Sequence, residues 1–418
     1  MNILVFNALA YTLTAICYYL KIKKINAGLY LMVYYTICAW GAVAYYTHPL
    51  FTYMKGNSNY EFEPFLYLFL TIGIFAYPIL KYDSSGIRKV QVVDSKFLIK
   101  FIKIVLIVQI VLYVTLFPSF IKAVLSSNIG DYRNDTYDEA EVVKFPFYAL
   151  NLLSRLYMGM RNVVIIIACY ALLFEKTRTK LVKLFFVSSF LFPIYAFTAY
   201  MSRAVMVMQL AFSIFLFIML LSFIAYRMRK KIILYLISIA IPIFSVFVII
   251  SNSRFGNMAS YMLYRYLGES FNNYNTEFYY QLKGNTWGTA YFNFFRKLMG
   301  EDIPFKTTRE KWAYLDNITG VDTHVFYTFI GGLNIEFGFF VTVIIGIVLS
   351  WLVLKALRPF SILTLPKLIL LGMLAYTLLN GSFFFVLQGD WGNLELLFTI
   401  FCYILFKKFS TKRYILPK

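Results

Sequence analysis

The sequence predicts an all-α, polytopic integral membrane protein, and three observations carry that prediction. Of the 418 residues, 60% are apolar and 14% charged, with a mean hydropathy of +0.68, a balance that does not describe a soluble fold. The apolar residues gather in runs long enough to cross a hydrocarbon core of about 30 Å, which takes about 20 residues of helix. Between those runs Lys and Arg cluster on alternate loops, as one cytoplasmic side requires.

Taken in order, the runs predict about eleven transmembrane helices, centred near Ala10, Ala39, Leu70, Ile110, Ile166, Phe192, Ile214, Ala240, Ile345, Ala375 and Thr399. The run at Ile166 is short after Arg161, and the run at Phe192 carries Pro193, which neighbouring helices must accommodate. The first run has no basic region before it and no small-residue cleavage site after it, so it reads as a retained helix and not a signal peptide. Cys17, Cys38, Cys169 and Cys402 all sit inside apolar runs, where free Cys behaves as a small core residue, and they imply neither disulfides nor a metal site. The basic clusters are Lys21–Lys24, Lys81–Lys103, Lys176–Lys183, Arg227–Lys231, Lys355–Lys367 and the tail from Lys407. They place the amino terminus outside and the carboxyl terminus inside. The net charge of +20 is thus a topology signal and an attraction to anionic membrane lipids; it does not call for nucleic acid. Without repeats or low-complexity linkers, residues 1–418 read as a single integral membrane domain.

One long polar interruption, Ser251 to Thr323, falls on the outer side and reads as a large, partly helical loop (251–323) carrying much of the chemistry. If Asn252 to Phe271 is helical, Arg254 and Arg265 stand three turns apart, within about 20° of one face at about 3.6 residues per turn. Glu269, one turn further, pairs with Arg265. Two guanidinium groups on one stripe suit a diphosphate, since Arg presents forked donors matched to phosphate oxygens; the bland alternative is a solvated face with one ion pair. Tyr261 lies on the same helix. Beyond it, Tyr274, Tyr279-Tyr280, Trp287 and Trp312 interleave with Asn and Gln, a mixture that suits sugar rings and also suits a membrane interface.

Outside the helix stripe, Arg203 falls at a tight outer turn between two runs. There it either binds an anion or anchors the interface by snorkelling. His324, in Asp322-Thr-His324, precedes the next run; an imidazole titrates near neutral pH and so can take a proton from an attacking hydroxyl, or it can be structural. His48, before Pro49, is the weaker histidine. The acidic outer loops, 52–63 and 119–147, read as solvated faces, with Arg133 in the second a weak binding candidate.

Together, the many spans, Ser-Arg203 at its turn, the outer segment bearing Arg254 and Arg265, and His324-Val-Phe-Tyr-Thr-Phe-Ile-Gly-Gly-Leu-Asn-Ile-Glu336-Phe-Gly338 resemble the Wzy-type oligosaccharide repeat-unit polymerases of O-antigen and capsule synthesis, relatives of the O-antigen ligases. The resemblance covers the architecture of the whole chain. It implies a GT-C-like membrane glycosyltransferase of the bacterial inner membrane, working at the periplasmic face with no cofactor and no required metal. It implies undecaprenyl-diphosphate-linked oligosaccharides as substrates and a chain-length regulator as partner. On that reading Arg203, Arg254 and Arg265 stabilise the departing diphosphate, His324 or Glu269 is the catalytic base, and Asp322, Tyr261, Tyr274 and Arg133 are lesser substrate contacts.

Three other functions fit parts of the pattern. A ligase would use the same donor and hand the glycan to lipid A core. A metal-dependent transferase using a lipid monophosphate sugar would need an acidic pair such as Glu61 and Glu63 or Glu301 and Asp302. A lipid-linked oligosaccharide flippase would need charged residues inside helices along a path between both faces.

Overall fold

A computed structural model describes residues 2–55, 59–125, 147–199, 204–226, 229–230, 233–234, 237, 241, 256–305 and 307–416. In chain order these form α1 (Asn2–Ile22), α2 (Ala27–Thr47), α3 (Pro49–Lys55), α4 (Phe62–Lys81), β1 (Lys89–Val93), α5 (Ser95–Leu125), α6 (Tyr148–Phe174), α7 (Thr179–Ala199), α8 (Ala204–Met219), α9 (Ala259–Asn273), α10 (Asn293–Leu298), α11 (Thr308–Thr319), α12 (Phe329–Leu357), β2 (Ile362–Leu363), α13 (Leu365–Asn380), α14 (Gly389–Lys408) and β3 (Ser410–Ile415). The described residues are 77% helical. Among the described residues 6 helices, α1, α2, α4, α5, α6 and α12, are long and apolar enough to cross a membrane by length and composition. Their outward faces are apolar as well: Ile104, Ile107, Ile110, Val114 and Phe117 recur at helical spacing along α5 and are exposed, a stripe that suits lipid and not water.

That count falls short of the expected eleven or so. The runs at Ile214 and Ala375 lie on α8 and α13, each of 16 residues, and the run at Thr399 on the more charged α14; the run at Phe192 lies on α7, which has 21 residues, and the run at Ala240 falls largely outside the described residues. A second departure is a small sheet of order β2-β1-β3, with β1 parallel to β2 and antiparallel to β3 with a bulge between Gln91 and Val93. It is built from segments that had read only as basic loop and basic tail.

By internal packing the chain divides into two units. The first takes Met1–Ser85, Val248–Leu357 and Leu374–Asp390. In it α9 lies against the His48 end of α2, and two glycines set the distance. A Cβ at Gly41 would meet Leu267 Cβ at 2.7 Å, and one at Gly268 would run into the backbone of Ala42. Two polar residues that α9 buries donate to main chain: Asn272 Nδ2 to Ala42 O at 3.1 Å, and Ser270 to Ser382 O. Phe271 reaches the rings of Tyr11 and Tyr35, at 5.9 and 6.5 Å. The polar segment is therefore not a loop standing clear of the helices; within it Ala259–Asn273 is a helix sunk among α1 and α2. In α12 regular helix breaks at Gly338 (φ 75°, ψ 172°), a backbone conformation essentially restricted to glycine.

The second unit takes Gly86–Phe247, Arg358–Met373 and Trp391–Lys418. It contains the sheet and α5–α8, with α5 packed along α7. Gln109 of α5, fully buried, donates to Tyr157 Oη at 2.6 Å and to Ser189 Oγ at 3.2 Å.

Candidate functional site

On α9 the spacing of Arg265 and Glu269 brings them together as predicted. Arg265 Nε donates to Glu269 Oε2 at 2.8 Å and Nη2 to Oε1 at 2.9 Å, a fork-to-fork pair. Glu269 is fully buried, while the Arg265 side chain keeps 34% of its surface. Only one edge of the guanidinium is occupied; Nη1 has no hydrogen-bond partner among the described residues. The hydroxyls of Tyr45 and Tyr261 lie alongside, 3.0 Å from each other, within a buried cluster with Phe51 and Met262.

The helix expected over 252–271 is interrupted. Regular α9 begins at Ala259, after a 3₁₀ turn over Gly256–Met258, because Gly256 adopts the left-handed region (φ 51°). A shared stripe for Arg254 and Arg265 therefore does not follow from helical spacing. Arg254 itself, like Arg203 and Arg133, lies outside the described residues.

His324 follows α11. Its ring lies tilted 4.5 Å from that of Trp312, its Nε2 lies 3.7 Å from Asp316 Oδ2 with the side chain 52% exposed, and its backbone N–H donates to Asp322 Oδ1 at 2.8 Å. Asp322 thus fixes the turn and Asp316 faces the imidazole, a pairing the sequence reading missed because it crosses the end of α11. The His324 segment packs on α9 through Phe326: its ring is 6.4 Å from Tyr266, and its carbonyl accepts from Asn273 Nδ2 at 3.3 Å. Asp316, Asp322 and His324 offer ligand atoms within 4.8 Å of one another, a spacing a cation could use, although exposed acidic groups of this kind are common without one.

Other expected residues take internal roles. Tyr274, fully buried, accepts from Asn334 Nδ2 at 2.9 Å. Glu63 accepts the hydroxyls of Tyr279 and Tyr280, at 3.1 and 3.2 Å, and Glu301 pairs with Arg296. His48 meets Ser260 Oγ at 3.3 Å.

Two further clusters had no place in the sequence reading. Glu336, which the sequence offers as part of a motif and as a charge near the outer end of a span, is fully buried before the Gly338 break and accepts from Thr286 Oγ1 at 2.7 Å and from the N–H groups of Gly288 and Tyr291. Nearby, Lys311 sits over the Tyr291 ring at 4.4 Å; burial lowers its amine to about 8, offset in part by Glu336 and Asp390. In the second unit, Arg161 at the centre of α6 lies 4.0 Å from Glu395 of α14, both buried, and Asn162 donates to the same carboxylate. Only the helical period pointed towards any of these, and none is close in sequence to its partners. No protein-family model, curated protein or solved structure matches the chain.

Proposed function

We propose that the chain is a membrane glycosyltransferase that polymerises undecaprenyl-diphosphate-linked oligosaccharide repeat units, at the periplasmic face of the bacterial inner membrane, into O-antigen or capsular polysaccharide. The observation that carries the reading is Arg265: a guanidinium held on one edge by a buried carboxylate, its Nη1 without a hydrogen-bond partner among the described residues, on a helix packed against the segment of His324. The basic clusters favour an outer location for both, where nucleotide-sugar donors are not normally supplied and lipid-linked donors are.

In the proposed reaction the acceptor hydroxyl oxygen attacks the anomeric carbon of the donor. The new glycosidic bond forms as the bond from that carbon to the diphosphate oxygen breaks, and the electron pair leaves with the diphosphate. Arg265 stabilises that developing charge, with Arg203 and Arg254 as proposed additional cations. The hydroxyl proton passes to the His324 imidazole, which Asp316 faces and can hold as imidazolium. Glu269, with both oxygens engaged, suits a positioning residue for Arg265 better than a base. Incubating the purified protein with its lipid-linked repeat unit tests the reading. A ladder of products is expected; conversion of none of the substrate, or transfer only to lipid A core, would overturn it.

Transport of lipid-linked oligosaccharide is the second reading, and Arg161 with Glu395 favours it, since ionisable residues inside a helical bundle commonly mark a pathway. A flippase would lose transport on Arg161→Ala and form no ladder.

A further inference from the structure

The turn around Glu336 builds a surface that the proposed reaction does not use. Residues 286–291 wrap the Glu336 carboxylate, and the Glu336 carbonyl accepts the N–H of Trp287 at 2.9 Å. This wrapping holds Trp287 in the left-handed region (φ 49°), which a bulky side chain rarely adopts. The Trp287 carbonyl is tied to Arg296 Nη1 at 2.9 Å, yet the indole remains 59% exposed. A strained main chain is thus secured on both sides while its large ring faces outward.

The same turn carries Tyr291 at its end, and the Tyr291 ring forms the floor beneath Lys311. Gln388 Oε1 accepts from Lys311 Nζ at 3.2 Å. An ammonium has three donors, and no carboxylate among the described residues lies within ion-pairing distance of this one. Glu336 already accepts from three donors, and Asp390 pairs with Lys297 at 3.4 Å. Lys311 is half-buried on an aromatic face with its charge balanced only at longer range, and its lowered amine (about 8) is consistent with that shortage.

We propose that this cluster is a carbohydrate subsite selective for an acidic sugar: Trp287 offers the flat face against which a pyranose ring stacks, and Lys311, seated on Tyr291 and Gln388, pairs with a carboxylate or phosphate on that sugar. The inference rests on the reading of the substrate as an oligosaccharide and adds to it that the repeat unit carries a negative charge.

The test is trace acetylation of the full-length protein in detergent with acetic anhydride at pH 8, read by mass spectrometry at the Lys311 peptide. D-glucuronate, glucose 6-phosphate, D-glucose and KCl are compared at equal ionic strength. Glucuronate or glucose 6-phosphate is expected to give half-protection at a concentration at least about tenfold below that of glucose or KCl, the advantage of a charge-assisted hydrogen bond. Protection by the first identifies a carboxylate, by the second a phosphate. Trp287→Ala should weaken that protection while leaving the labelling of Lys311 without sugar unchanged. Equal protection by all four solutes, or by none, overturns the proposal. Labelling needs no turnover, so failure of the subsite and failure of the polymerase reading are separate results.

Discussion

A guanidinium gripped along one edge keeps both its charge and its direction, and Arg265 is gripped in that way by Glu269. Lysine at this position would keep the charge but lose the fork, so Arg265→Lys is expected to lower the polymerisation rate by about 10²-fold or more with little change in thermal stability. Glu269→Gln should act through Arg265: its rate loss should be largely absent when Arg265 is already Lys, which a double-mutant cycle measures. Lys311 gives a pH test with a definite sign. Its amine is lowered to about 8 by burial, against which Glu336 and Asp390 act, whereas an unfolded lysine titrates near about 10.4. Between those values the unfolded chain binds more protons, so stability rises with pH across that window, and the penalty of burying the ammonium is fully present below about 8. Lys311→Met should therefore raise the melting temperature at pH 7 and do so less at pH 10. The Arg265–Glu269 pair was legible in the sequence because both lie one turn apart on one helix. Lys311 with Gln388, and His324 with Asp316, were not, since those contacts are made across turns and between elements whose packing no local period encodes.

Helix α9 shows what sequence reads well and poorly at the next scale. Its amphipathic spacing announced a helix, and regular α-helix runs from Ala259, after Gly256 in the left-handed region and a 3₁₀ turn over Gly256–Met258; Asn252 to Arg254, the start of the expected helix, lies outside the described residues. Its depth was missed: a segment rich in Asn, Ser and Tyr reads as solvated, yet main-chain carbonyls of α2 and of residue 382 accept its buried amide and hydroxyl. Two glycines separate these effects. Gly268→Ala would press a methyl group into the backbone of Ala42 and is expected to destabilise by about 1–3 kcal/mol or more, while Gly73→Ala, with nothing within 4 Å of its Cβ, should leave the melting temperature nearly unchanged. The small sheet escaped the sequence reading because β2 has 2 residues, and because β1 finds its partners at the far end of the chain, Val90 opposite Ile415.

For the molecule as a whole, membrane character was plain from composition, and the exposed apolar stripes of α5 and α12 agree with it. Orientation rests on the basic clusters alone. Single cysteines placed at Lys24 and at Lys412 in a background lacking the native four should resist a membrane-impermeant maleimide in intact cells, while one at Asn317 reacts; the reverse pattern would move the whole candidate site to the other face and remove the lipid-linked donor argument. The most direct test of the account is a gel of purified protein incubated with its undecaprenyl-diphosphate-linked repeat unit, run beside Arg265→Ala and His324→Ala at equal protein levels. The account predicts a ladder from the wild type and a loss of about 10²-fold or more in long products from each variant. Wild-type ladders from both variants, or no ladder from any of the three, would contradict it.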